Sequence, residues 1–390
     1  MNISDEKTSL LALWLIPGLG PKKIQELVDY FGTAQNVLQS NRASLYKVNG
    51  ISDKLIRLIE AAKNSEELQK ELSLLRNHNI NLVSQSEDAY PKLLKEIYNA
   101  PPLLYSKGNI DLKNQIPIGF VGSRKASFQG KSICRKLIKE LSEINPSITI
   151  VSGLALGIDA AAHSAALEFG LKTVAVLAGG LSEIYPPQNR NLAHEITEKG
   201  ALVTEFPFLS KPKAGNFPLR NRIISGISKG VVIVEAGERS GALITAGYTL
   251  EQNRELFALP GPADSNYFRG TNRLIQKGQA KLILEAQDIL EEIITDYKRP
   301  TLDEQITSPS KSHQQRNNTN QNHQDNITTL TIDEISILNL LKEGAIQQDS
   351  LAERLSISLP RLLATLTSLE MKNLVVSKPG SIYESVNIDS

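Results

Sequence analysis

Residues 116–163 read IPIGFVGSRKASFQGKSICRKLIKELSEINPSITIVSGLALGIDAAAH, and the spacing of apolar residues along them decides the fold. Ile116–Val121 is a short apolar run closed by Gly122. Ser127–Ile144 has the length and spacing of a helix, and Thr149–Ser152 is apolar again before a second helical stretch, Asp159–Phe169. Short apolar runs separated by helix-length segments predict parallel strands buried on both faces. Working outward, the same alternation continues through Thr173–Leu177, Ala201–Glu205, Gly230–Glu235, Glu255–Leu259 and Lys281–Leu284. The expected class is α/β, a doubly wound, mostly parallel sheet.

On either side the character changes. Residues 1–75 read as a small helical domain, broken at Pro17-Gly18 and Asn49-Gly50. Residues 80–297 form the α/β domain. Residues 298–328 include SPSKSHQQRNNTNQNHQDN, which holds no aliphatic side chain and predicts a disordered Asn/Gln-rich linker. Helical spacing resumes over 329–390, with Ile335, Leu338 and Leu341 in one segment, then Leu351–Leu355 and Leu359–Met371.

The chain of 390 residues is 41% hydrophobic and 22% charged, ordinary for a folded soluble protein. A net charge of +1 excludes a globally basic nucleic-acid coat but allows a local patch. Cys134 is the single cysteine, so neither an internal disulfide nor a multi-thiolate metal site is expected. The apolar run Leu10–Ile16 is too short to span a bilayer and lacks the flanks of a signal peptide. The expected setting is cytoplasmic, away from membranes.

Four clusters stand at strand ends. In GFVGSR, 119–124, Gly122 allows a tight turn, Ser123 caps or meets a phosphate, and Arg124 offers a charged fork. The G-x-G-x-x-G fingerprint is missing, and the plainer reading is a strand-to-helix turn with a solvated arginine. In SGLALGIDAAAH, 152–163, Gly153 and Gly157 permit close backbone approach. Asp159 and His163 are spaced i, i+4. They read either as an acid–base pair or, with better support, as a helix cap and a packed histidine. In NFPLRNR, 216–222, Phe217 offers a stacking surface, and Arg220, Asn221 and Arg222 offer phosphate contacts. The competing reading is a helix start with Phe217 in the core. Lys211 and Lys213 add positive charge upstream. In VEAGERSGALITA, 234–246, Ser240, Gly241 and Thr245 would aim amides and hydroxyls above the sheet. A fifth strand end, Leu259-Pro260-Gly261, leads to GTNRLI at 270–275.

Taken in order, VGSR, SGLALGIDAAAH, FPLRNR, SGALITA, LPG and GTNRLI resemble the DprA/Smf family of DNA-processing proteins over about residues 80–295. The resemblance implies a Rossmann-like core that binds single-stranded DNA and helps load the RecA recombinase in natural transformation. It also implies a homodimer, and no catalytic residues, metal or cofactor. By this likeness Arg124, Phe217, Arg220, Asn221 and Arg222 contact DNA. Gly122, Ser123, Gly153, Ser240, Gly241 and Thr245 line the same edge. Ala242 departs from the family's frequent serine, and KGQAKLI at 277–283 carries one residue more than the usual pattern.

IPGLG at 16–20 and VNGIS at 48–52 resemble helix-hairpin-helix turns, and Leu351–Leu355 with the helix from Leu359 resembles a winged helix-turn-helix. That second helix brings only Arg361 and Lys372 as basic residues, so DNA and protein stay open as its partner. Two other classes compete: a phosphoribohydrolase-like nucleotide enzyme and a helix-turn-helix regulator with a sensor core. The first uses PGGxGTxxE after the equivalent strand, where this chain has EAGERSGALIT and lacks the glutamate.

Overall fold

The computed structural model describes residues 5–110, 112–295, 297, 332–341, 344–355, 359–372, 374–378 and 380–385, in two compact units. The first unit is built on a nine-stranded sheet. Its strands are β1 (Asn81–Ser84), β2 (Leu103–Gly108), β3 (Ile116–Val121), β4 (Ile148–Ser152), β5 (Lys172–Val176), β6 (Ala201–Thr204), β7 (Gly230–Ile233), β8 (Glu255–Ala258) and β9 (Lys281–Leu282). They lie in the order β1-β2-β6-β5-β4-β3-β7-β8-β9. From β6 to β9 every pairing is parallel, with Ile118 opposite Ile150 in β4 and opposite Gly230 in β7.

Successive residues of these strands enter opposite cores, as the two-residue period requires. Phe120, Ile150 and Val232 pack on one face with Ile138 and Leu141. Val121, Val151 and Ile233 pack on the other with Ile223 and Ile224. The sheet is therefore covered on both sides, the arrangement expected from its apolar runs. β1 and β2 were not anticipated; they join antiparallel at one edge, β2 against β6. They are short, and Pro101-Pro102 interrupt the approach to β2, which hides the strand period.

The N-terminal helices, Asp5–Trp14, Pro21–Phe31, Ala34–Gln39, Arg42–Leu45, Asp53–Ala62 and Glu66–Asn77, do not form a core of their own. Leu13, Leu27 and Ile56 share one apolar cluster with Leu103, Tyr105, Leu177 and Leu202 of the sheet region. Each fully buried aliphatic side chain there contributes about 1.5–3 kcal/mol. Polar ties fix the docking. Trp14 Nε1 donates to the Glu205 carbonyl at 2.8 Å, and the Phe208 amide donates to Glu71 at 2.6 Å. The His78 ring stacks on Phe208 at 4.7 Å.

The second unit has helices Ile332–Leu341, Gln348–Leu355 and Leu359–Met371 with strands β10 (Ile346–Gln347), β11 (Val375–Lys378) and β12 (Ile382–Ser385) in the order β10-β12-β11. Leu341, Leu351, Leu366 and Tyr383 lie in its core. Three helices followed by an antiparallel hairpin make a winged helix. The predicted linker 298–328 and the turn 356–358 lie outside the described residues.

Candidate nucleic-acid interface

β3 is flanked by β4 on one side and β7 on the other, so the winding of the sheet reverses there and a crevice opens at the carboxyl ends. The turn after β3 fills one wall. The Ser123 amide donates to the Glu235 carbonyl at 2.8 Å, and the Ser123 carbonyl accepts from Ile158 N at 3.2 Å. Ser123 Oγ accepts from the Lys125 amide at 3.1 Å, so its hydroxyl caps the local turn. Gly157, at φ +83°, is obligatory: a Cβ there would sit 2.1 Å from the Ser123 carbonyl oxygen. Ser127 then caps the helix Phe128–Ile144 through Gly130 N at 2.9 Å. Both the amide and the hydroxyl of Ser127 donate to the fully buried Glu235 carboxylate. With both its ends pinned, the turn presents Arg124 to solvent, its guanidinium 4.7 Å from the centre of the Phe217 ring.

The floor of the crevice holds two buried charged side chains, Asp159 and Arg220. Asp159 is 6% exposed and accepts from Gly153 N at 3.2 Å and Ala155 N at 3.4 Å. It therefore latches the preceding loop instead of capping its helix, whose first position Gly157 precedes. Arg220, 3% exposed, gives Nη1 to the Gly153 carbonyl at 2.5 Å and to the Val176 carbonyl, and Nε to Asn221 Oδ1 at 3.1 Å. Gly153 leaves room for that guanidinium, since a Cβ would fall 2.1 Å from Arg220 Nη1. Burial lowers Arg220 to about 10, against the opposing effect of Asp159. Burial raises Asp159 above the ordinary carboxyl range, opposed by Arg220 and the two amides.

The expectation for Arg222 is corrected. It is 9% exposed, ion-paired with Glu205 and bonded to the Asn99 carbonyl at 2.9 Å, and it faces a different hollow beside Trp14. The reason is helical phase: the helix begins at Asn216, and at 3.6 residues per turn positions 220 and 222 point to opposite sides. Arg220 reaches the crevice, but its Nη1 is committed to carbonyls, so it acts there as a fixed charge. Pro260 and Gly261 are also set apart, in a hollow of their own with Arg269 and Asn272, while Leu259 lies in the core.

What gathers is a groove of about 620 Å³. Gly122, Ser123 and Arg124 form one wall, Phe217, Arg220 and Asn221 another, and Ser240, Gly241 and Thr245 a third. Ser240 Oγ accepts from Ala242 N at 3.3 Å at the start of the helix Ala242–Glu251, and Thr245 is buried at the base. Gly153 borders an adjoining cavity of about 70 Å³ with Pro212, Tyr185 and Phe217. The Tyr185 ring meets Phe217 edge-on at 5.9 Å and is 48% exposed.

Three residues escaped the sequence reading: Lys125 and Arg239 of the groove and Tyr185 of the adjoining cavity. Lys125 follows the GSR turn directly and Arg239 lies inside GERSG, so both had a signal in their neighbours. Tyr185 sits in a loop with no period to mark it. Arg124, Lys125 and Arg239 are exposed, and none has a carboxylate within ion-pair range among the described residues. His163 is not paired with Asp159. Its Nδ1 lies 2.6 Å from Thr173 Oγ1, whose hydroxyl donates to the Ile150 carbonyl, so Nδ1 carries the proton. Burial holds its pKa at about 3 and the ring stays neutral. No metal-ligand cluster occurs among the described residues.

A family model described as DNA recombination-mediator protein A matches residues 81–294, and one described as DprA winged helix domain matches 321–381. Protein Smf of Synechocystis sp. is 39% identical over 291 residues, 74% of this chain and 72% of that one. DNA processing protein DprA of Bacillus subtilis is 43% identical over 227 residues, 58% of this chain and 75% of that one. The DprA structure from Streptococcus pneumoniae superposes with a TM-score of 0.63 at 36% identity, covering 75% of this chain and 99% of the other. That of Helicobacter pylori DprA, a study of its single-stranded DNA binding mode, gives 0.50 at 29% identity over 56% and 97%. The ordered motifs, the Rossmann-like sheet and the winged helix thus converge with these likenesses, and the chain belongs to the DprA/Smf family.

Proposed function

We propose that this chain binds single-stranded DNA in the groove above β3 and β7. There it protects the strand and promotes its loading onto a RecA recombinase during DNA uptake, as a cytoplasmic homodimer that binds without turnover. The observation that carries the reading is the Arg124–Phe217 stack at the mouth of a groove ringed by exposed, unmatched cations. A guanidinium seated over a ring still has N–H groups to offer a phosphate, and the ring beside it offers a stacking surface for a base. The Helicobacter pylori relative, whose structure concerns single-stranded DNA, supports the choice of ligand. Gly122, Ser123, Gly153, Asn221, Ser240, Gly241 and Thr245 shape the walls, Phe217 stacks, Arg124 contacts phosphate, and Arg220 supplies charge from below. The recombinase, the dimer and the transformation setting are part of the proposal, and the likeness to the DprA/Smf family is what supports them.

The enzyme alternative is disfavoured because His163 is fully buried and does not border the groove, and because Asp159 Oδ2 is held by two amides as a latch for the preceding loop. Fluorescence anisotropy with labelled oligo-dT, duplex and mononucleotides tests the reading. Oligo-dT is expected to bind most tightly, with little dependence on base identity and steep weakening by salt. A preference for one duplex sequence, or turnover of a nucleotide, would replace it.

A further inference from the structure

The helix Asn216–Ile227 divides two depressions. Pro218 and Asn221 face the groove. Leu219 and Arg222 border a trough of about 540 Å³ that starts at Gly20 of the first hairpin turn and at Pro21, which opens the next helix. This trough runs into a second hollow of about 420 Å³, with Pro21, Lys22, Glu26 and Asn99 common to both. Tyr98 stands at the far end, 74% exposed, with Lys22 Nζ 5.7 Å from its ring centre. Lys95 borders the same hollow. The carboxylates here are already matched, Glu26 by Lys23 and Glu205 by Arg222. Lys22 and Lys95 have no carboxylate within ion-pair range among the described residues.

We propose that this Lys22–Tyr98 trough is a second segment of the nucleic-acid path, taking the continuation of a single strand that leaves the groove over the first turn of the Asn216–Ile227 helix. The occupant is a single-stranded polynucleotide because the trough repeats the groove's chemistry: unmatched cations beside an aromatic ring that is open to stacking. An exposed tyrosine beside a cation suits an unpaired base, whereas a duplex keeps its base faces stacked inside. The divider is one helix, about 10–12 Å across, which a few nucleotides span. The inference rests on the single-strand reading of the groove.

The test uses the full chain and labelled oligo-dT of two lengths, about six and about 25 residues, to match a single groove and an extended path. The double variant Lys22→Ala/Tyr98→Ala is expected to bind the long strand at least about fivefold more weakly, the effect of losing one stacked base. Its salt slope should be shallower by about 0.7, with the short strand bound as before. Tyr98→Phe keeps the ring and should retain long-strand affinity. Arg124→Ala should weaken both lengths. If Arg124→Ala weakens both and the double variant leaves the long strand untouched, the groove stands and the trough is wrong. Equal weakening of both lengths by the double variant also overturns a separate second segment. If Arg124→Ala changes neither length, the groove reading itself falls, and the continuation with it.

Discussion

The GSR turn at 122–124 and the FPLRNR segment at 217–222 carry the same kind of sequence message, arginine beside small or aromatic residues. The structure treats their arginines in opposite ways. Arg124 is exposed, has no carboxylate partner among the described residues and lies on Phe217. Arg220 and Arg222 are buried and bonded, one to carbonyls beside Asp159 and one to Glu205. The difference teaches that depth separates an arginine that contacts a ligand from one that builds the place where it lands. An exposed guanidinium gives up little hydration to meet a phosphate. A buried one is tolerable only with its partners in place.

The largest effect that would break this contrast belongs to Arg222. Arg222→Ala strands the Glu205 carboxylate in a buried site and should destabilise the fold by about 3–5 kcal/mol, read as a large fall in melting temperature. Affinity of the folded protein for a short oligo-dT should hardly change. Wild-type stability with lost short-strand binding would return Arg222 to the ligand-contacting class. Arg124→Ala should give the mirror image: an unchanged melt and a loss of about 1.5–3 kcal/mol in affinity, roughly ten- to a hundredfold. Unchanged affinity in a folded Arg124→Ala protein would displace the groove.

His163 sharpens the same division by pH. Its pKa is held at about 3 in the fold against 6.5 for a free imidazole. The unfolded chain therefore binds the extra proton first, and stability falls as pH drops from about 6.5 toward 3. At pH 5 the loss amounts to about 2 kcal/mol. Chemical denaturation of His163→Asn beside the parent at pH 7 and 5 checks it; parallel pH slopes would mean the ring is not the proton-linked group. The smallest effect is expected from truncation after Tyr297, which should leave the first unit folded and short-strand affinity near that of the whole chain. Loss of binding in that folded fragment would move the DNA site to the winged helix.

Much of this was legible in the chain itself. The apolar runs of β3 to β8 read correctly because strands buried on both faces are mostly apolar, and their short length and alternation with helix-length segments separate them from buried helices. The groove's turns were legible because glycine and serine at a strand end announce a change of direction. The fate of RNR was not, because it depends on the residue at which the helix begins, and a shift of two positions reverses a side chain's direction. The latch made by Asp159 was hidden for a related reason: the amides that donate to it lie upstream, at Gly153 and Ala155, not in the first turn of its own helix. Glu235 reads in sequence as the end of a strand, yet it fixes the turn that carries Arg124.

The contact between Arg124 and Phe217 has a thermodynamic consequence. Freezing a long, rotamer-rich side chain at the moment of association costs about 0.5–1.5 kcal/mol. Here the guanidinium already rests on a ring that Tyr185 supports from the edge, so much of that ordering belongs to folding. An incoming anion meets a charge already in position, and its arrival should register mainly as heat released and counterions set free, with little entropy lost from the protein.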